Sequence, residues 1–250
     1  MKVLEVGKLS KSFGGVRAVS QVGFSVAAGE LLALIGPNGA GKTTCFNLIN
    51  GQLRPDAGEI RFEGRRIQGL PPRTLCRLGV GRTFQIAAAF GSMSVRENVQ
   101  VALLSHAKKL FDFCKRAGNL NMDKAEAILS QVGMLELAER PCAALAYGDL
   151  KRVELALALA GRPRLLLMDE PTAGMSGAER GELMRLAAGL ARRDQIAVLF
   201  TEHDMDVVFG HADRVLVLSE GELIAQGTPA EVRANARVRQ VYLGDEAADA

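Results

Sequence analysis

Three things are scarce in this chain of 250 residues, and each scarcity removes a class of function. The first is paired cysteine. Cys45, Cys76, Cys114 and Cys142 are widely scattered, with no C-x-x-C among them. Such spacing supports neither a disulfide framework nor a zinc site and fits reduced, buried thiols. The second is surplus charge, since 31 Lys and Arg residues face 28 Asp and Glu. That balance gives no broad basic field for nucleic acid. One local cluster, Lys108, Lys109, Lys115 and Arg116 interleaved with Phe111 and Phe113, reads as a solvated helix face with its aromatics turned inward. The third is a long apolar run. Stretches such as Leu155 to Ala160 fall well short of the roughly 18 residues that span a bilayer. Lys2, Glu5, Lys8 and Lys11 also interrupt the region where a signal peptide needs an unbroken apolar core. Work at a membrane would therefore need another chain to hold this one there. The sequence has no low-complexity linker and no internal repeat. Its 48% hydrophobic residues suffice for one large core or two modest lobes.

Against these absences stands one complete motif. Gly36, Pro37, Asn38, Gly39, Ala40, Gly41, Lys42 and Thr43 spell G-x-x-x-x-G-K-[ST]. An apolar run, Leu31 to Ile35, precedes it and reads as a buried strand. Thr44 to Asn50 follows with helix-compatible residues, and Gly51 is the stop signal. The glycines let successive backbone N–H groups turn toward phosphate, and the helix N-terminus adds partial positive charge. Lys42 would reach the β- and γ-phosphates of a nucleoside triphosphate, and the Thr43 hydroxyl would bind magnesium.

Short β-prone segments open the chain at Val3 to Val6, Val22 to Val26 and Ile60 to Phe62, an expected antiparallel flank beside the first buried strand. Farther on, Leu165 to Met168 and Ile196 to Phe200 are continuous apolar runs, as strands covered on both faces require. Leu183, Leu186, Ala187 and Leu190 recur between them at helical spacing, with Arg192 and Arg193 near the helix end. Ser219 to Glu222 signals a hairpin between two further strands. The middle, from about Ile86 to Arg152, differs in character. Asp123 to Glu126 reads as a capping box, and a stripe of Ile128, Leu129 and Val132 follows, closed by Gly133. A helical lobe inserted into a parallel-sheet core is the expectation, with a frayed tail from Asp245 to Ala250.

The strand at Leu165 to Met168 ends in two acids. Asp169 would hold magnesium through its water shell, and Glu170 would face the γ-phosphate as general base for an attacking water. Adjacent acids at a strand end are common, so the phosphate loop is what gives this pair meaning.

At this point the chain resembles the nucleotide-binding subunits of ABC transporters, over nearly its full length. Leu145-Ala146-Tyr147-Gly148-Asp149 stands where that family has its signature motif, and Lys151 to Ala156 is similar to the signature helix. Gln85 resembles the glutamine of the loop joining core to helical lobe, His203 the switch histidine, and Phe13 the aromatic that stacks on adenine. Phe13 could instead belong to the core, and Tyr147 could be packing alone.

The resemblance implies an α/β fold, with a P-loop NTPase core of mainly parallel sheet, an antiparallel β flank and an inserted α-helical subdomain. Residues 1–85 and 153–250 would form the core and 86–152 the helical part. ATP and Mg2+ would be the ligands. Lys42, Gln85, Glu170 and His203 would carry catalysis, and Thr43, Gln85 and Asp169 would attend the metal. Phe13 and residues Gly36 to Thr44 would hold the nucleotide, including Thr44. Ala146, Tyr147, Gly148 and Asp149 would close over the nucleotide of a second subunit.

Finer similarity narrows the class. Phe13 to Val19, Gly81 to Gln85, Ala146 to Asp149 and Glu202 to Met205 together are similar to the branched-chain amino-acid uptake group. The ending Val241 to Gly244 is similar there and in lipopolysaccharide-export ATPases. In the uptake group the subunit works at the cytoplasmic face of the bacterial inner membrane. Its partners are integral-membrane permeases, a second ATPase and, indirectly, a periplasmic solute-binding protein, with no nucleic acid. A lipid-export ATPase, a soluble ABC ATPase acting on nucleic acid or the ribosome, and a small-molecule kinase are the competing readings. Two departures stand out: Ala146 where the signature usually has Ser, and Ser176 where the segment after the acidic pair usually ends in Asp. They suggest a heterodimer with chemically unequal sites, a homodimer being the alternative. The apolar run Ile86 to Phe90, beside Gln85, would line a groove for a permease helix, or else be ordinary core.

Overall fold

The computed structural model describes residues 1–83, 89–106 and 121–246, with side chains described through residue 241. Two sheets organise them. The first is antiparallel, in the order β2-β1-β4-β5, from β1 (Lys2–Phe13), β2 (Val16–Ala27), β4 (Ala57–Phe62) and β5 (Arg65–Arg66). The second has six strands in the order β10-β9-β3-β8-β7-β6. These are β3 (Leu31–Ile35), β6 (Val80–Arg82), β7 (Leu165–Asp169), β8 (Ala197–Thr201), β9 (Arg214–Ser219) and β10 (Glu222–Gly227). Every pairing in it is parallel except β9 with β10. The architecture is the expected one, and Leu31–Ile35 forms the expected strand without a shift.

Alternation explains why three of these strands read as continuous apolar runs. Leu31, Ala33 and Ile35 face one hydrophobic cluster, and Leu32 and Leu34 face the other. Likewise Leu166 and Met168 point opposite to Leu165 and Leu167, and Val198 and Phe200 opposite to Ala197 and Leu199. A strand with core on both sides has no face on which a polar residue is cheap. One cluster is completed by helices, chiefly α5 (Tyr147–Ala160) and α6 (Gly177–Asp194). The other is completed by the antiparallel sheet and α1 (Lys42–Ile49).

The remaining helices are α2 (Pro72–Leu78), α3 (Val95–His106), α4 (Met122–Gln131), α7 (Met205–His211), α8 (Pro229–Ala234) and α9 (Ala236–Glu246). Two expectations need correction. The capping box at Asp123 and Glu126 does not form. Helix α4 begins at Met122 behind Asn121, which takes a left-handed φ of 60° without a side-chain cap. Glu126 instead pairs with Arg96, 3.1 Å away, because this tertiary cation competes for the carboxylate. The second concerns the thiols. Cys45 and Cys142 are buried, but Cys76 is exposed on α2, whose buried side is carried by Leu75. Cys114 and the basic cluster at 108–116 lie outside the described residues. No helix among the described residues is long and apolar enough to cross a membrane.

Candidate active site

The chemistry-bearing residues meet because parallel strands deliver their C-terminal ends to one edge of the sheet. Register does the placing: Leu34 lies opposite Thr201 and Asp169 opposite Thr201, so the ends of β3, β8 and β7 are level. The phosphate loop leaves β3 at Gly36 and enters α1 at Lys42. Two of its glycines are forced by space. A Cβ on Gly36 would lie 2.2 Å from the Leu218 carbonyl oxygen, and one on Gly41 would lie 2.3 Å from that of Ala18. Gly41 also has φ 102°, which L side chains rarely adopt.

Within that loop the Lys42 ammonium donates to the carbonyls of Gly36 (2.6 Å) and Pro37 (3.0 Å). Burial pulls its pKa below the ordinary lysine value, while the charges of Glu170 and Asp169 act in the opposite sense. Both acids are thus close enough to act on the loop lysine. Among the described residues, the backbone N–H groups of Gly39, Gly41, Lys42, Thr43 and Thr44 donate to no acceptor. A run of unspent donors at a helix N-terminus, joined by a cation, fits a polyphosphate. Thr43 is exposed beside it. Cys45, one turn on, is chemically quiet, because burial pushes its thiol to about 12.

Asp169 is buried, and both of its oxygens are engaged. Thr201 donates its hydroxyl to Oδ1 at 2.8 Å, and Arg82 donates to Oδ2 at 3.1 Å. A carboxylate held this way suits a magnesium ion bound through its water shell, so the donor set fits the group. Arg82 was not singled out from sequence, because its partners are remote: it also donates to Asn47 (3.1 Å) and Gln52 (3.0 Å). Glu170 follows with φ 47°, a left-handed backbone unusual for a non-glycine residue. Its Oε1 lies 2.9 Å from His203 Nε2, so the second acid and the histidine form one pair at the strand ends. Phe13 is 47% exposed at the end of β1, with the Lys11 ammonium 5.5 Å from its ring centre. It is not core.

Gln85 lies outside the described residues, as do Ile86 to Ala88. Ala146, Tyr147, Gly148 and Asp149 form the start of α5, with Ala146 at the N-cap. Tyr147 is exposed and packs across Gly174, where an added Cβ would come within 3.3 Å of its ring. Ser176 occupies the N-cap of α6, and its N–H and hydroxyl both donate to Glu179. A groove of about 700 Å3 opens between α2, β6, α3 and α5, with Arg82, Thr83, His106 and Glu154 on its wall. Burial raises the Glu154 carboxyl above its usual range, against the pull of Lys151 3.2 Å away.

The family model described as ABC transporter matches residues 19–173, well over half of the chain. The chain belongs to the ABC transporter ATP-binding family. Within it, the model described as branched-chain amino acid ATP-binding cassette transporter matches residues 222–248, placing this cassette in the branched-chain amino acid group. The high-affinity branched-chain amino acid transport ATP-binding protein LivG of Salmonella typhimurium is 41% identical, across 97% of this cassette and 98% of LivG. BraF of Pseudomonas aeruginosa, described in the same words, is 39% identical over the same shares. Among solved structures, the ADP conformation of an ATP-binding cassette from an ABC transporter superposes with a TM-score of 0.87 at 30% identity. It covers 98% of this cassette and 99% of its own chain. A nucleotide-free cassette gives a TM-score of 0.85, also at 30% identity, over 97% and 99%.

Proposed function

We propose that this chain is the ATP-binding and ATP-hydrolysing subunit that powers uptake of branched-chain amino acids or related small solutes through an ABC transporter. The observation that carries the reading is the Glu170–His203 pair, 2.9 Å apart, at the strand ends beside the Lys42 loop. In this reading the loop N–H groups and Lys42 hold the phosphates, and Phe13 carries the adenine. Thr43, Asp169 and Gln85 hold magnesium, which when bound offsets negative charge on the triphosphate. Glu170 accepts a proton from the attacking water, and His203 sits where the γ-phosphate ends. Thr201 and Arg82 keep the Asp169 carboxylate from turning.

The proposal extends to organisation. Residues 1–85 and 153–250 act as the nucleotide-binding core and 86–152 as the helical part, with α5 running unbroken through residue 152. Ala146 to Asp149 present a helix N-terminus to the nucleotide of a second ATPase, which the Ala146 and Ser176 departures make a different chain. The permease helix docks along Ile86 to Phe90, beside Gln85. Phe90 supports this, since it is 57% exposed while Asn98 fixes its backbone through the N–H at 2.7 Å and the carbonyl at 3.1 Å. Attachment is peripheral, at the cytoplasmic face of the bacterial inner membrane.

Co-purification from membranes, with partners identified by mass spectrometry, tests the assembly. Two permeases, a second ATPase and a periplasmic amino-acid-binding protein are the expected companions. Recovery with lipid-export components would move the proposal to export, and recovery with ribosomes or nucleic acid would end it. Glu170→Gln should keep ATP binding and stop turnover.

A further inference from the structure

Glu202 is 4% exposed, yet its carboxylate meets no cation among the described residues. Its partners are neutral. Oε1 accepts from the Thr172 N–H at 2.8 Å and the Thr172 hydroxyl at 2.7 Å, and Oε2 accepts from the His203 N–H at 3.3 Å. Burying a carboxylate without a counter-ion is costly, so the three donors together must hold it firmly. A second strap lies on the other side of the histidine. Arg180 donates Nε to the Met175 carbonyl at 2.8 Å and pairs through its guanidinium with Asp204. Asp204 is itself fixed as the N-cap of α7, accepting from the N–H groups of Asp206 and Val207. The residues flanking His203 are thus each tied to the loop that follows Glu170, once at Thr172 and once at Met175.

We propose that Glu202 is a positioning residue that, together with Arg180, joins His203 and the loop 171–176 into one mechanical unit. The His203 backbone then cannot shift relative to Glu170 without carrying that loop, and movement of the loop is passed to the base of the imidazole. The outer side of the loop reaches the start of α5, where Gly174 meets the Tyr147 ring and a Cβ on Gly148 would lie 3.6 Å from the Met175 terminal methyl. One chain of contacts therefore runs from the histidine to the segment proposed to cover a second subunit's nucleotide. The inference rests on the ATPase reading for its consequence but not for its geometry.

The chain has three histidines, His106, His203 and His211, so imidazole carbon–proton NMR of the full nucleotide-free chain resolves the site. The His203 signal is assigned by its absence in His203→Gln. Glu202→Ala and Thr172→Val should each move or broaden that signal and leave His106 and His211 in place, while Thr172→Ser, which keeps the hydroxyl, should restore it. Turnover should fall about tenfold to a hundredfold in Glu202→Ala, as for a displaced catalytic group, with ATP affinity within about twofold. The Glu202→Ala, Thr172→Val double variant should lose no more than Glu202→Ala alone, because both cut the same strap. An unmoved His203 signal overturns the proposal. So does a shift of all three imidazoles with a lowered melting temperature, or additive losses in the double variant. Should Glu202→Ala not fold, Thr172→Val and Thr172→Ser carry the same test. Wild-type protein that hydrolyses no ATP, even with its partners, would sink the ATPase reading and leave the imidazole signals to decide this one.

Discussion

Replacing Glu170 separates backbone strain from chemistry at a single position. Its φ of 47° costs an L residue about 1–2 kcal/mol, which glycine does not incur. Glycine gives back about 0.5–1 kcal/mol through greater freedom in the unfolded chain. Glu170→Gly should therefore exceed Glu170→Ala in stability by up to about 1.5 kcal/mol, centred on about 0.75 kcal/mol. At about 2–4 °C per kcal/mol for a chain of this size, the central value is roughly 1.5–3 °C in melting temperature. The comparison with Ala matters because both variants lose the contact to His203 equally. That contact is half-exposed and worth at most about 1 kcal/mol. Turnover should fall by about 10²- to 10⁴-fold in the Gln, Ala and Gly variants alike, the loss expected of a general base. This corresponds to about 3–5 kcal/mol of barrier. Calorimetry without nucleotide reads the first quantity, and phosphate release by the assembled transporter reads the second. A Gly variant melting no higher than the Ala variant would refute the strain argument. A Gln variant keeping more than about a tenth of wild-type turnover would refute the general-base role.

Three further outcomes are expected. Gly41→Ala combines an unfavourable φ with a carbonyl contact at 2.3 Å and should cost about 2–5 kcal/mol of stability. Gly39→Ala, with φ 79° but no atom within 4 Å, should cost only about 1–2 kcal/mol, and equal melting temperatures would contradict this. Phe13→Ala should leave the melting temperature in place and weaken nucleotide binding roughly 2- to 12-fold, the value of an aromatic contact; unchanged affinity in a fluorescence titration removes Phe13 from the site. For Asp204, burial raises the carboxyl, but the N–H groups of Val207 and Asp206 and the Arg180 guanidinium outweigh it and hold it below the usual range. A lowered folded value means stability present above the ordinary carboxylate pKa and lost as pH falls through the lowered one. Urea midpoints from neutral to acid pH should thus fall less steeply in Asp204→Asn.

The legible parts of the sequence were those written locally. The phosphate loop, the strand ending in Asp169 and Glu170, and the strand before His203 each carry their signal within about ten residues, where apolar runs and glycine spacing are explicit. The paired strands around Ser219 to Glu222 were legible for the same reason. What sequence did not disclose is tertiary. Arg82 reaches Asp169 across 87 positions, and Glu202 reaches Thr172 across 30, with no periodicity to announce either. The failed capping box at Asp123 has the same origin, since Glu126 finds Arg96 instead of its own helix end. Glu170 reads as an ordinary acid in sequence, and only its backbone angle shows the turn it is made to take.

The seating of the phosphate loop has a consequence for the growing chain on the ribosome. β3 is flanked by β8 and β9, which are synthesised more than 160 positions later. Gly36 lies against Leu218, the Gly221 N–H donates to Ala40 at 3.1 Å, and the Gly221 carbonyl accepts from Ser20. The antiparallel strands β1, β2 and β4 can pair as soon as they emerge, but the loop they cradle must wait for Leu218 and Gly221. A nascent chain would hold no ATP until then, and its ability to bind nucleotide would report that β8 and β9 have been made.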